Sequence, residues 1–343
     1  MKDKLSVKEE PIAVKQIPQS NVVDLQKVRT TSVVRGRGPK GSGSSGAAAG
    51  SEVLARILMT VCGLTAVAAV ISITAYMLIN GLPALIKVGP VNLLFGTVWK
   101  PDAAVPSFGI AYVILTSIVG TAAALLLGVP IGLLTAVFLS RVASPRMAGV
   151  IRPAVELLAG IPSVIYGLIG LVLLNPVMFK IEKMVFAGST THQYTGGANL
   201  ISAVLVLAVM ILPTVTNISE TALSAVPEEL ESASLALGAT HMQTIFHVII
   251  PAAKSGITTA VILGVGRALG EAMAITLVSG GTVNVPLPFN SVRFLTTAIV
   301  SEMSYASGLH RQVLFTIGLV LFAFIMLVNL LLTRVVNKGG RDR

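Results

Sequence analysis

From residue 53 onward, apolar positions in this 343-residue chain come in runs rather than in the stripes of a surface helix or the alternation of a strand. About 20 consecutive apolar residues span a bilayer as helix. Six stretches have that character: 53–79, 109–140, 148–174, 199–217, 255–279 and 312–336. The second contains "LLLGVPIGLL", where Pro130 predicts a bend or break, and the third contains "AGIPSVIYG", where Pro162 predicts a kink. The pattern therefore predicts an all-α integral membrane protein with six transmembrane helices.

Residues 1–50 are of another kind. They are polar and basic, close with "RGRGPKGSGSSGAAAG" and carry no sustained apolar period. A disordered cytoplasmic tail is expected there, ahead of a six-span domain over 51–343. No apolar core precedes residue 53, so a cleaved signal peptide is not expected. The Gly/Lys/Ser-rich piece lacks the spacing of a phosphate-binding loop.

Composition agrees with lipid as solvent. Charged residues make up 12% of the chain, its mean hydropathy is +0.85, and glycine reaches 32 residues. Soluble domains carry about 25% charged residues, and close-packed membrane helices favour small ones. The net charge of +10 does not point to nucleic acid, because nine of the 25 Lys and Arg lie in the first 40 residues and most others flank apolar runs. With the N-terminus inside, 18 of the 25 fall on the inner side, which places both termini in the cytoplasm. The single cysteine, Cys62, excludes an intrachain disulfide. No His/Cys/carboxylate group has metal-ligand spacing and no nucleophile stands beside a base, so catalysis is not expected.

The segment between the fourth and fifth runs, 218–254, reads "SETALSAVPEELESASLALGATHMQTIFHVIIPAAKSG" from Ser219. It predicts two short helices, the first from "ELESASLALGA" and the second stopping at Pro251, with a turn at Gly238. The clustered Glu220, Glu228, Glu229 and Glu231 argue against a hairpin lying on anionic headgroups and for one that plugs a partner's groove.

This segment resembles the EAA loop of bacterial ABC importer permeases: E-A-A, three residues, Gly, nine residues, I-x-L-P. Ser232, Ala233 and Ser234 fall on E-A-A, while Val248, Ile250 and Pro251 fall on I-x-L-P. Ala233, Gly238 and Pro251 match outright. Ser232 departs from the family's glutamate, and Glu231 stands one position early. In the family that carboxylate helps fix the loop against the ATPase, so the departure puts its role here in question. The resemblance implies six helices of the MetI-like type, with a cytoplasmic coupling hairpin that docks on an ATPase.

Further stretches, "ELLAGIPSVIYGLIGLVLL", "GVGRALGEAMAITLVSGG" and "LTTAIVSEMSYASGLHRQVLFTIGLVLF", resemble permeases of the high-affinity phosphate importer, of the PstC type, over roughly residues 109–336. That resemblance implies a cell-membrane permease that moves inorganic phosphate inward. It implies a sister permease of the PstA type, two ATPase subunits and an extracytoplasmic phosphate-binding protein as partners. ATP and Mg²⁺ would then be held by the ATPase, with no cofactor in this chain. Another oxyanion or small solute remains the alternative within the class, and a stand-alone secondary transporter or channel the alternative outside it.

Within "GRALGEAMA", Arg267 and Glu271 stand four apart on the expected fifth helix and should share a face. A charge at mid-bilayer costs about 2.5–3.5 kcal/mol on insertion scales. The pair should therefore face the bundle interior or a hydrated cavity. It is either a salt bridge locking the permease interface or a substrate-pathway element whose arginine offers its planar fork to phosphate oxygens. Gly266 and Gly270 form one small-xxx-small step, and Ala260, Gly264 and Ala268 another. Helices packed on both sides are expected to bury the charges. Glu156 is a weaker candidate, and Arg152, one turn before it, is expected to pair with it.

Overall fold

Backbone in hydrocarbon must satisfy its own N–H and C=O groups, and here it does so almost wholly as helix. The computed structural model describes the backbone of residues 46–341 and the side chains of 52–334. Of the tail expected over 1–50, residues 1–45 lie outside the described residues. The chain divides into two units, 1–67 and 68–343, with the boundary inside helix α1 (Gly46–Val88). The described part of the first unit is one helical segment whose apolar side chains, Leu54 and Leu58 among them, are exposed.

The second unit continues through α2 (Pro90–Phe95) and a short antiparallel ribbon, β1 (Trp99–Lys100) and β2 (Ser107–Phe108). Then follow α3 (Ala111–Val137), α4 (Pro145–Gly160), α5 (Ser163–Ile169), α6 (Asn175–Val185) and α7 (Leu200–Ser224). The remainder is α8 (Glu228–Ala236), α9 (His241–Thr244), α10 (Ile250–Ala252), α11 (Lys254–Gly270), α12 (Met273–Val278), α13 (Leu295–Glu302) and α14 (Gly308–Arg341). Three π-turns, Phe138–Val142, Gly170–Leu174 and Ile245–Ile249, extend α3, join α5 to α6 and join α9 to α10.

Among the described residues five helical stretches are long and apolar enough to cross a membrane: Glu52–Val88, Ala111–Val142, Ser163–Val185, Leu200–Ser224 and Gly308–Arg334. A sixth is reached by counting as one span the pair made of His241–Ala252 and, across a 70° bend, α11. The 17 residues of α11 reach about 25 Å at 1.5 Å each.

Three expectations need correction. α3 runs unbroken through Pro130, because its neighbours hold it: Gly120, Ala124, Gly128 and Gly132, four apart, press on buried partners, Gly128 on Ile211 and Gly132 on Val215 of α7. The Thr216 hydroxyl donates to the Gly132 carbonyl at 3.2 Å. The third span is not 148–174 but Ser163–Val185. Pro162 drives Ile161 into extended geometry (φ −70°, ψ 127°), which ends α4 and starts a new helix. The fifth run, expected to be continuous over 255–279, breaks after Gly270 and resumes at Met273.

α7 is the axis of the bundle, with 61% of its most apolar window buried. Around it Ala124, Leu207, Met210, Ile211, Ile275, Val278 and Phe294 form the central core. Leu93, Ile110, Leu295, Leu314 and Ile317 form a second core at one end, and Val137, Leu223, Ile245, Ile249 and Ala253 a third under the α8–α9 hairpin. Large apolar side chains elsewhere, such as Leu126, Val150 and Leu173, point outward, as lipid or a partner helix requires.

Candidate functional site

The charged residues of "GRALGEAMA" sit where the fifth span breaks. Arg267 occupies the last turn of α11, so its cation lies at the helix end where carbonyl dipoles favour it. Its side chain is exposed, and among the described residues it has no hydrogen bond or ion pair. Tyr166, a buried residue of α5, donates to the Leu158 carbonyl at 2.6 Å.

Glu271 lies in the break itself, in extended geometry (φ −74°, ψ 127°). Its Oε1 accepts from the Ala274 N–H at 3.1 Å, supplying an acceptor to the first turn of α12. Its backbone carbonyl accepts from the Thr296 hydroxyl at 2.7 Å. The expected Arg267–Glu271 ion pair is therefore not closed, because the four-residue step needs a helix and the helix stops at Gly270. Glu271 acts as a cap, and Arg267 faces outward alone.

The expected packing on both sides of α11 is half met. Ala260, Gly264 and Ala268 are buried, with Gly264 against Val215. A Cβ on Gly266 or Gly270 would meet no atom within 4 Å. The face bearing Gly266, Arg267 and Gly270 is thus open within this chain.

The second feature is the hairpin. α8 starts behind Pro227, and Gly238 makes the turn with φ +88°, a region that disfavours any residue with a Cβ. Thr240 and Gln243 close a reciprocal capping box on α9. The second helix does not stop at Pro251: the π-turn Ile245–Ile249 precedes it, and helix continues to Ala252 before the 70° bend into α11. The Ser234 and Thr244 hydroxyls meet at 2.9 Å and tie the two helices together.

Ser232 and Ala233 are exposed, as are Leu230, Leu235, Leu237, Met242 and Phe246, whereas Val248, Ile250 and Pro251 are half-buried beside the buried Ile249. Glu231 turns inward. Its Oε2 accepts from Arg141 Nη1 at 2.7 Å, and its Oε1 lies 3.5 Å from His241 Nδ1.

Sequence reading did not find these ion pairs, because their members are remote in the chain. Arg152 pairs with Glu220, not with Glu156, at 2.5 Å. Away from the hairpin, buried Glu302 accepts from Arg293, His310 and the Trp99 indole. Buried Glu182 takes His192 at 2.9 Å and both the N–H and hydroxyl of Thr195. No group of three or more metal-ligating side chains occurs among the described residues.

Apolar helices long enough to cross a membrane, a broken span with an arginine unpaired among the described residues, and a two-helix hairpin with exposed apolar side chains mark a multi-pass membrane protein. Residues 128–339 match the family described as "Binding-protein-dependent transport system inner membrane component", and this multi-pass membrane chain belongs to that family. It is 38% identical over 292 residues to the probable ABC transporter permease protein YqgH of Bacillus subtilis (strain 168), covering 82% of this chain and 91% of that one. It is 32% identical over 264 residues to the phosphate transport system permease protein PstC of Pasteurella multocida (strain Pm70), covering 73% and 82%. In fold it is similar to a chain of a bacterial alginate ABC transporter crystallised with an alginate pentasaccharide-bound periplasmic protein. That likeness has a TM-score of 0.56 at 15% identity, over 85% of this chain and 96% of the other.

Proposed function

We infer that this chain is the phosphate-translocating permease subunit of an ATP-driven importer. The observation that carries the reading is Arg267: a permanently charged, exposed, unpartnered side chain at the break of a membrane span. A planar guanidinium with free donors suits a tetrahedral oxyanion. Relatives named as phosphate permeases, at 30–33% identity, support that substrate over other anions. Glu271 is the positioning partner: by capping α12 it fixes the break and keeps its own charge off the arginine.

In this reading both termini and the hairpin face the cytoplasm. A sister permease faces the open side of α11, two ATPase subunits hold ATP and Mg²⁺ and receive the hairpins, and an extracytoplasmic protein delivers phosphate. The chain itself does no chemistry. ATP binding draws the two hairpins together and opens the path outward, and hydrolysis resets it.

The test is phosphate uptake by the assembled complex in vesicles, beside anion-stimulated ATP hydrolysis with phosphate, sulfate and molybdate. A charge-assisted hydrogen bond is worth about 1.5–3 kcal/mol, so Arg267→Gln should lower uptake about 10- to 100-fold at unchanged assembly. Normal uptake in that variant removes Arg267 from the path. Loss of assembly instead assigns it to the interface with the sister subunit. Stimulation by sulfate equal to that by phosphate overturns the substrate.

A further inference from the structure

The hairpin is read above as the part that meets the ATPase, yet its glutamate does not point outward. Glu231 is held by Arg141, which lies in the π-turn at the end of the second span. The two side chains are 12% and 19% exposed. Arg141 makes a second bond at the same joint: Nη2 donates to the Leu223 carbonyl at 2.6 Å, in the last turn of α7. The Arg141 carbonyl in turn receives His241 Nε2 at 3.3 Å, from the first residue of α9. One arginine therefore touches the second span, the fourth span and both helices of the hairpin.

Ser232, which takes the place of the family's outward glutamate, is exposed. Glu231, one residue earlier, lies about 100° around the helix from it. That rotation turns the carboxylate from the outer face of α8 to the inner one.

We propose that Arg141 and Glu231 form an internal strut that transmits displacement of the hairpin to the second and fourth spans, so that Glu231 serves coupling inside the permease and makes no contact with the ATPase. The strut rests on the permease reading above. It is stiff where the rest of the joint is apolar: Val137, Leu223, Ile245 and Ile249 pack beneath it and can slide, whereas a hydrogen-bonded ion pair with a second bond to α7 fixes distance and angle. Both residues are positioning residues.

The experiment uses the complete complex in vesicles and reads phosphate taken up per ATP hydrolysed. Arg141→Gln and Glu231→Gln should each keep assembly and ATP hydrolysis while that ratio falls about tenfold. Arg141→Lys, which keeps a charge and one donor, should recover part of it. The double variant should be no worse than either single one, as for two ends of one contact. Three results overturn the proposal: an unchanged ratio in both single variants, additive losses in the double variant, or loss of ATPase copurification in Glu231→Gln but not in Arg141→Gln. The last result would return Glu231 to the ATPase surface. A wild-type complex that takes up no phosphate would defeat the substrate reading instead, and the ratio could then be read with whichever anion stimulates hydrolysis.

Discussion

Glu302 and Arg267 show opposite ways of keeping a charge in a largely apolar chain. Glu302 is 4% exposed and fully answered: Arg293, His310 at 2.7 Å and the Trp99 indole at 3.2 Å converge on one carboxylate. Glu182, wholly buried, is answered in the same way by His192 and Thr195. Arg267 is exposed and has no hydrogen bond or ion pair among the described residues. These two buried carboxylates are satisfied by the protein's own residues, whereas Arg267, unpaired among the described residues, sits on a face of α11 that is open. Self-sufficiency marks a structural knot, and in the function proposed above the open face of Arg267 is the place that phosphate or the sister subunit reaches.

That contrast can be broken by stability measurements on the isolated chain in detergent. The largest effect belongs to Glu302→Leu. It strands Arg293 without a counter-charge and leaves His310 and the Trp99 indole without their carboxylate partner, and losing one partner of a buried pair costs about 3–5 kcal/mol. A melting temperature within a degree or two of wild type would disprove the knot. Glu182→Gln keeps the shape and some hydrogen bonds but drops the charge facing His192, so a loss of about 1–3 kcal/mol is expected in the same assay.

Gly128→Val comes next or alongside, because its side chain would run into Ile211 and the Ala208 carbonyl. Overpacking of that kind costs about 1–3 kcal/mol. Gly266→Ala meets no atom and should stay within about 0.5 kcal/mol, with any defect appearing only as weaker copurification of the sister subunit. Arg267→Gln should be the smallest, within about 0.5 kcal/mol, although it is the variant expected to harm uptake most. A marked loss of stability there would show that the arginine is structural and collapse the comparison.

Much of this could be read from residue order. The six apolar runs, the hairpin between the fourth and fifth, and the turn at Gly238 are local features, and local physics fixes them. Pro162 was equally visible, but apolar residues on both sides hid the fact that it separates two helices rather than bending one. The break at Glu271 has no proline to announce it, and the four-residue spacing of Arg267 and Glu271 suited an unbroken helix. It is held by the Thr296 hydroxyl, 25 residues away, and by a carboxylate that caps the next helix instead of meeting Arg267. The strut joins residues 90 apart and the Glu302 knot reaches 203 residues back to Trp99. No periodicity within a window reports such partners. Only the packing of α3 on α7, and of the outer segments on α14, brings them together.

The π-turn at Ile245–Ile249 sets the phase of the hairpin as well as its length. An α-helix turns about 100° with each residue, and a π-turn amounts to one residue taken in without that advance. Removing Val248 would let the backbone return to α-helical bonding with Pro251 and everything behind it still in phase with α9, because the residue lost is the one that made no advance. Ile249 would keep facing the core it now shares with Leu223 and Val137. The π-turn therefore works like the slack in a gear train: one residue lost there is absorbed, whereas a second, taken from helix already α-bonded, would turn load against drive by about 100°.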